Sequence, residues 1–388
     1  MAYTPTVWKD GEAPAVSAEN LNHMEEGIAE AQNPYTAAQL LSDTTRGVLG
    51  LGSDTTPDDA LLALAIGTGT YGYRVKIQLS DGTPVEGATV SGITALTGST
   101  LVSGPDGIVL GKSTSKTVTI GCTSPYIDQA APASQSVTAT GTITDVTLTL
   151  TSITDMITII SSKTSKVSPM AKTMDVTAVG GGGGGGGGCQ SGDYEQSGSG
   201  GGGGYVSTKT GVALVAKATV QITVGSAGSG GLYNITASPG TPMGTSGGTT
   251  SVALDGVVLV TANGGNGGSN GRGKSYGTLI PGGTGNGNGG IGTSKSGVNC
   301  SGSPGSGYIF NDPSLGIAGG GGGGGGSYGN ATTSGGMPNG GEGAQRKSST
   351  TTSVCTEGKI PGGGGGGGYY SMNGCNGGIG GVYLRFHF

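Results

Sequence analysis

The chain has 388 residues, 89 of them glycine, with aromatic residues at 5%, charged residues at 11% and a formal net charge of −5. With only 16 prolines and no Gly-X-Y period it is not collagen, and its small net charge and Val/Ile/Thr-rich stretches argue against a disordered polar tract. No basic stripe is available for nucleic acid or anionic lipid, and no apolar run approaches the roughly 20 residues of a membrane span, so neither is expected as a partner.

The N-terminal stretch "MAYTPTVWKDGEAP" lacks the apolar region of a secretory signal. Directly after it, Ser17 caps a predicted helix that Pro34 stops, and Leu21, Met24, Ile28 and Ala31 recur at spacings of three, four and three. That seam predicts self-association through a coiled coil within residues 1–35; the alternative is a short helix lying on its own domain. In "TTPDDALLALA", Thr56 caps a second predicted helix, Pro57 takes its first position, and Asp58 and Asp59 lie at the positive end of its dipole. Residues 36–71 are therefore expected to form a helical connector.

From Tyr73 the period changes to two. "YRVKIQLSDGTPVEGATVSG" places Val75, Ile77 and Leu79 on one face, turns at Asp81-Gly82 and resumes at Ala88-Thr89-Val90. Further strands are predicted in "KTVTIGC" and "TDVTLTLT", with a turn at "SGPDG". Several short strands over about 80 residues predict a small β-sandwich at 72–151. The run "LSDGTPVEGATV", then "GPDG", then "VTLTLT" resembles the carboxypeptidase-regulatory and Cna-B-like sandwiches, which serve as spacers in surface and viral fibre proteins.

Residues 152–388 carry strand patterns in "MITIISS", "KTMDVTAVG", "ATVQITVG" and "TTSVALDGVVLVTANGG", the last with a hairpin turn at Asp255-Gly256. The terminal "VYLRFHF" alternates Val382, Leu384, Phe386 and Phe388 with polar residues, and is expected to join strands around 156–179. Between these lie glycine runs at 180–188, 200–204, 319–326 and 362–368. Ordering a residue costs roughly 1–2 kcal/mol, so nine successive glycines are either a tether or held by their backbone. Polyglycine can adopt the three-residue helix of polyproline, rising about 3.1 Å per residue, and keeps the N–H groups that proline lacks. Packed side by side, such helices satisfy one another without side chains, which puts Gly184, Gly202, Gly322 and Gly365 in a backbone core. The expected fold class is mainly β: a short N-terminal helical attachment segment, a small β-sandwich and a glycine-rich β domain with packed polyglycine II helices.

The order "VTAVGGGGGGGGG", "YVSTKTG", "ATVQITVGSAG", "GGTTSVALDG", "ANGGNGG" resembles the glycine-rich domain at the ends of bacteriophage tail fibres, and "VWKDGEAPAVSAENLNHMEEGI" resembles the virion-attachment end of phage tail and baseplate proteins. The resemblance implies a tail fibre or receptor-binding protein of the virion. Such a protein is made in the host cytoplasm without a signal peptide, forms a homotrimer, is held by baseplate or tail proteins, and binds a glycan or protein of the bacterial surface. A structural baseplate component and, less readily, a glycan depolymerase are the alternatives. Polar segments between the runs, at 189–199, 270–283, 300–314, 327–360 and 369–376, are the expected loop tips. Tyr194, Tyr276, Tyr308, Phe310, Tyr328, Tyr369 and Tyr370 lie in or beside them as candidate receptor contacts; the alternative for each is that it pins the end of a glycine run.

No catalytic group, cofactor or metal is expected. The two histidines, His23 and His387, stand alone; "DGIVLGKST" has Asp106 where a phosphate loop needs its first glycine. The five cysteines, Cys122, Cys189, Cys300, Cys355 and Cys375, show no metal spacing and are expected to be free thiols.

Overall fold

The computed structural model describes Ile66 and residues 70–96, 100–140, 143–191, 194–233, 243–271, 279–280, 283–285, 288–289, 292–295, 334–335, 340–346 and 352–388. The predicted helices at 17–31 and 55–65, and with them the Leu21/Met24/Ile28/Ala31 seam, lie outside these residues. What is described is mainly β, in several small sheets. The chain divides into two compact units, one of residues 1–124 and 131–150, the other of 125–130 and 151–388.

In the first unit, strands β1 (Tyr71–Gln78), β2 (Val90–Ser91), β3 (Thr94–Ala95), β4 (Ile108–Ser113) and β5 (Thr117–Cys122) precede the excursion into the second unit, where β6 (Gln129–Ala130) lies. After it the first unit continues with β7 (Gln135–Thr138) and β8 (Ile143–Thr149). One sheet has the order β3-β4-β1-β8 and the other β2-β5-β7. The predicted alternation is realised: Val75, Ile77 and Leu79 are fully buried, as is Tyr73. The two predicted turns are closed by Asx contacts, Asp81 Oδ1 accepting the Thr83 N–H at 2.9 Å and Asp106 Oδ1 accepting that of Ile108 at 2.9 Å. Glycine is required at 107, where φ is +76° and a Cβ would stand 2.4 Å from the Ile77 carbonyl oxygen.

The second unit contains β9 (Thr151–Ser152), β10 (Ile157–Ile159), β11 (Lys163–Lys166), β12 (Thr173–Val179), β13 (Cys189–Ser191), β14 (Tyr194–Gln196), β15 (Val206–Ala213), β16 (Thr219–Thr223), β17 (Thr250–Leu254) and β18 (Val257–Ala262). It ends with β19 (Leu279–Ile280), β20 (Gly292–Lys295), β21 (Gln345–Arg346), β22 (Thr352–Ser353) and β23 (Gly381–His387). Two four-stranded sheets, β10-β23-β12-β15 and β11-β16-β17-β18, share one hydrophobic cluster that includes Ile159, Met174, Val176, Val220, Ile222, Val252, Val260, Leu384 and Phe386. The terminal strand β23 takes the place expected for it, antiparallel between β10 and β12. Asp255 and Gly256, both at positive φ, turn β17 into β18. This unit therefore has a conventional apolar core at its strands. Glycine replaces that core only beyond the strand ends.

Candidate functional site

Beyond Val179 the chain leaves β12 as an extended rod, 180–188, whose glycines are buried throughout. Its N–H groups are taken up with a period of three. Gly180, Gly183 and Gly186 donate to the carbonyls of Tyr205, Gly202 and Ser199; Gly181 and Gly184 to Gly248 and Thr245; Gly182, Gly185 and Gly188 to Gly378, Cys375 and Met372. In each series the partner number falls as the donor number rises, so these three neighbours run antiparallel to the rod. The carbonyls follow the same rule with the opposite sense: those of Gly181, Gly184 and Gly187 accept from Gly265, Gly268 and Gly271, those of Gly182 and Gly185 from Gly228 and Gly231, and those of Gly183 and Gly186 from Gly365 and Gly368. Among the described residues the central rod thus lies within six others, 198–204, 225–231, 244–248, 263–271, 362–368 and 372–380.

The strands explain the directions. β12, β16 and β18 each feed an outgoing rod, and returning rods enter β15, β17 and β23. Side chains are excluded wherever a rod faces another. A Cβ at Gly184 would stand 2.0 Å from the Ser229 oxygen, at Gly202 2.3 Å from that of Thr284, and at Gly365 2.1 Å from that of Cys375. Outer rods carry a side chain at every third position instead, as in Ser226, Ser229 and Leu232, or Asn263, Asn266 and Ser269. Several of these side chains provide an acceptor where no further rod does. Asn270 Oδ1 accepts the Gly187 N–H at 2.7 Å, Asn373 Oδ1 that of Tyr233 at 2.7 Å, and Asn376 Oδ1 that of Gly230 at 2.9 Å.

Because the rods leave and return in register, their connections collect at the end remote from the strands. The β13–β14 hairpin closes rods 180–188 and 198–204 there, with Tyr194 opposite Ser191. Tyr369 and Tyr370 make the tight reversal between 362–368 and 372–380, with Tyr370 at φ 54° and its ring centroid 6.4 Å from that of Tyr369. Leu232 and Met243 stand at the same end, beyond rods 225–231 and 244–248, and are each 54% exposed; Tyr233, Tyr370 and Met372 beside them are half-buried and Asn373 is exposed. This rim of Leu232, Tyr233, Met243, Tyr370, Met372 and Asn373 is uncharged, and it is the candidate contact surface.

Of the sequence-predicted contacts, Tyr370 stands on the rim. Tyr369 is 1% exposed and packs with Ala344 and Cys355 beneath it, the position of a residue that pins the rods. Tyr276, Tyr308, Phe310, Tyr328 and Gly322 lie outside the described residues. Leu232 and Met243 escape a reading based on aromatic residues; their signal is an apolar residue directly at the end of a glycine-rich segment.

The expectation of free thiols is corrected for one pair, since Cys355 and Cys375 form a disulfide. The reason is topological. Segment 356–359 and rod 372–380 both bond to rod 362–368, through Thr356 and Lys359 on one side and Cys375 and Gly378 on the other, so two residues 20 apart in sequence are brought together. Cys122 and the fully buried Cys189 remain free thiols, and burial raises the Cys122 thiol above its ordinary value. His387 Nε2 lies 2.9 Å from Asp175 Oδ2 on the strand side of the unit. Among the described residues no three His, Cys, Asp and Glu side chains are gathered to hold a metal ion.

A family model, a glycine-rich domain, matches residues 159–387. No curated protein matches the chain.

Proposed function

The chain belongs to the family of the glycine-rich domain, and from that membership and the convergence of the rod connections we propose that it is a bacteriophage tail fibre or receptor-binding protein that attaches the virion to the bacterial surface. The observation that carries this reading is the rim at the rod ends, where Leu232 and Met243, each 54% exposed, stand on a backbone lattice too tightly packed to deform. Such a rigid platform lowers the ordering cost of binding. We read the rods as polyglycine II helices, since a period of three is that of the polyproline-type helix, and nine residues then span about 28 Å. In this reading residues 1–35 set a homotrimer through Leu21, Met24, Ile28 and Ala31 and attach it to baseplate or tail proteins. The sandwich at 72–151 is a spacer, and the chain acts by binding, without an enzymatic step.

The test uses the soluble full-length chain. It is expected to bind the strains that the virion infects and to block adsorption when added first, and a Leu232→Ser/Met243→Ser variant with unchanged melting is expected to do neither. A full-length chain that neither binds those cells nor competes with the virion overturns the proposal and leaves a structural role in the particle.

A further inference from the structure

The outer rods are rich in Asn-Gly pairs, and the lattice holds them unequally. An asparagine side chain followed by glycine is open to attack by the next backbone nitrogen, because glycine has no Cβ to shield it. Ring closure requires the Asn–Gly peptide group to rotate. That group is held by whatever bonds its carbonyl and its N–H make, and the attacked side chain by its own.

At Asn376 every one of these points is occupied. Its carbonyl accepts the Gly358 N–H at 2.9 Å, the Gly377 N–H donates to Gly228 at 2.8 Å, and its side chain bonds the Gly230 N–H at 2.9 Å and Glu357 Oε1 at 3.1 Å. Asn266 is held at two of them, by the Gly202 N–H on its carbonyl at 2.9 Å and by Ser246 and Thr284 on its side chain at 3.3 and 2.6 Å. Asn263 is held at one. Its carbonyl accepts the Tyr205 N–H at 2.9 Å, but among the described residues neither its exposed side chain nor the Gly264 N–H makes a hydrogen bond.

We propose that Asn263–Gly264 is a site of spontaneous modification, at which the Asn263 amide is lost through a succinimide, and that the rod lattice protects the pairs at Asn266 and Asn376. The Gly264 nitrogen gives its proton to hydroxide, forming water, and bonds to Asn263 Cγ; the Cγ–Nδ2 bond breaks, and the leaving nitrogen takes a proton from water, departs as ammonia and regenerates hydroxide. Water then opens the ring at either carbonyl, giving aspartate or isoaspartate, with no change of oxidation state. Isoaspartate lengthens the backbone by one carbon at the point where β18 becomes a rod. The Asn263 carbonyl there is packed so closely on the central rod that a Cβ at Gly180 would stand 2.0 Å from it. Either product also adds a negative charge.

The full-length protein is incubated in mildly alkaline buffer, digested, and its Asn-Gly peptides followed by mass spectrometry with isoaspartate methylation. Asn263 is expected to be converted at least about tenfold faster than Asn376, equivalent to about 1.4 kcal/mol of additional protection, with Asn266 between them. In chain held unfolded by denaturant the three rates converge. Asn263→Gln, whose longer side chain closes the ring poorly, is expected to remove the conversion at this position while leaving melting unchanged. Equal rates at Asn263 and Asn376 in the folded chain, or an Asn263 that survives folded incubation as well as Asn376 does, overturn the proposal.

Discussion

If the glycine rods are held by their backbones, the smallest possible side chain at an inner position should be more than they can absorb. In Gly184→Ala the added methyl would lie 2.0 Å from the Ser229 oxygen, 2.3 Å from its carbonyl carbon and 2.7 Å from the Gly230 nitrogen, all backbone atoms of the neighbouring rod. Moving the central rod aside disrupts the bonds from Gly184 to Thr245 at 2.9 Å and from Gly268 to Gly184 at 2.8 Å, and moving its neighbour instead disrupts that from Thr245 to Ser229 at 2.9 Å. Each buried group left without a partner costs about 1–3 kcal/mol, so the two bonds of the central rod together cost about 2–6 kcal/mol, a large share of the roughly 5–15 kcal/mol that holds a domain folded. In a unit of this size about 1 kcal/mol moves the midpoint by roughly 2–4 °C. The full-length protein carrying Gly184→Ala should therefore unfold this unit at least about 4 °C early by calorimetry, and Ser229→Ala, on the exposed side of an outer rod, should stay within about 0.5 kcal/mol of wild type. A Gly184→Ala protein that melts with wild type would refute the packed lattice and make the run a tether.

Four further outcomes follow from particular contacts. Asn270→Leu leaves the buried Gly187 N–H without its acceptor and should cost about 1–3 kcal/mol in denaturant unfolding, whereas Asn270→Asp, which keeps an acceptor, should cost less. Breaking the Cys355–Cys375 bridge with a reductant or as the double serine variant should cost about 3 kcal/mol, the loop-closure entropy for a separation of 20 residues, and hydrogen exchange should quicken first at 354–359. For Asp175, burial alone raises the carboxyl pKa, but the Gly211 N–H, the His387 bond and charge and the Arg385 charge outweigh it and hold it below its ordinary value of 3.8; its contribution is complete above 3.8 and lost as pH falls through the lowered value, so Asp175→Asn should flatten the acid limb of the stability curve. Ile28→Asp should shift sedimentation of the full chain toward monomer more than Glu26→Ala; a wild-type chain that already sediments as a monomer refutes the seam.

Where burial follows from local period, the sequence is sufficient. Alternation alone identifies Val75, Ile77 and Leu79 as an inward face, and the apolar terminus of 382–388 as a strand that needs a sheet to join; the structure seats it between β10 and β12. The glycine run is legible in part: its cost in backbone entropy leaves a tether or a compensating lattice, and the hydrogen bonds of the structure show the lattice. The disulfide is not legible, because Cys355 meets Cys375 only through the fold-back of 362–368 at Tyr369 and Tyr370, and nothing local to either cysteine encodes it. Tyr369 and Tyr370 are adjacent and chemically identical in sequence. Only the reversal, with Tyr370 at φ 54°, sends one side chain under the rods and leaves the other on the rim.

The distribution of side chains along the rods also accounts for why the lattice stops growing. A rod enclosed by six others has no direction in which a Cβ fits, so 180–188 is glycine at every position. A rod at the margin faces solvent on one side, and at a period of three that side falls on every third residue, which gives the pattern of "NGGNGGS" at 263–269. The residue placed there closes the edge in two ways. Its bulk prevents another rod from approaching, and where it is Asn or Thr its oxygen accepts an N–H that a further rod would have taken, as Asn376 does for Gly230 and Thr245 for Ser229 at 2.7 Å. Open backbone edges invite pairing between chains, as they do in sheets, so these outer side chains protect the rods from one another. At the rod ends the side chains of Leu232 and Met243, each 54% exposed, carry no such constraint. They are positions where a change in binding need not be a change in fold.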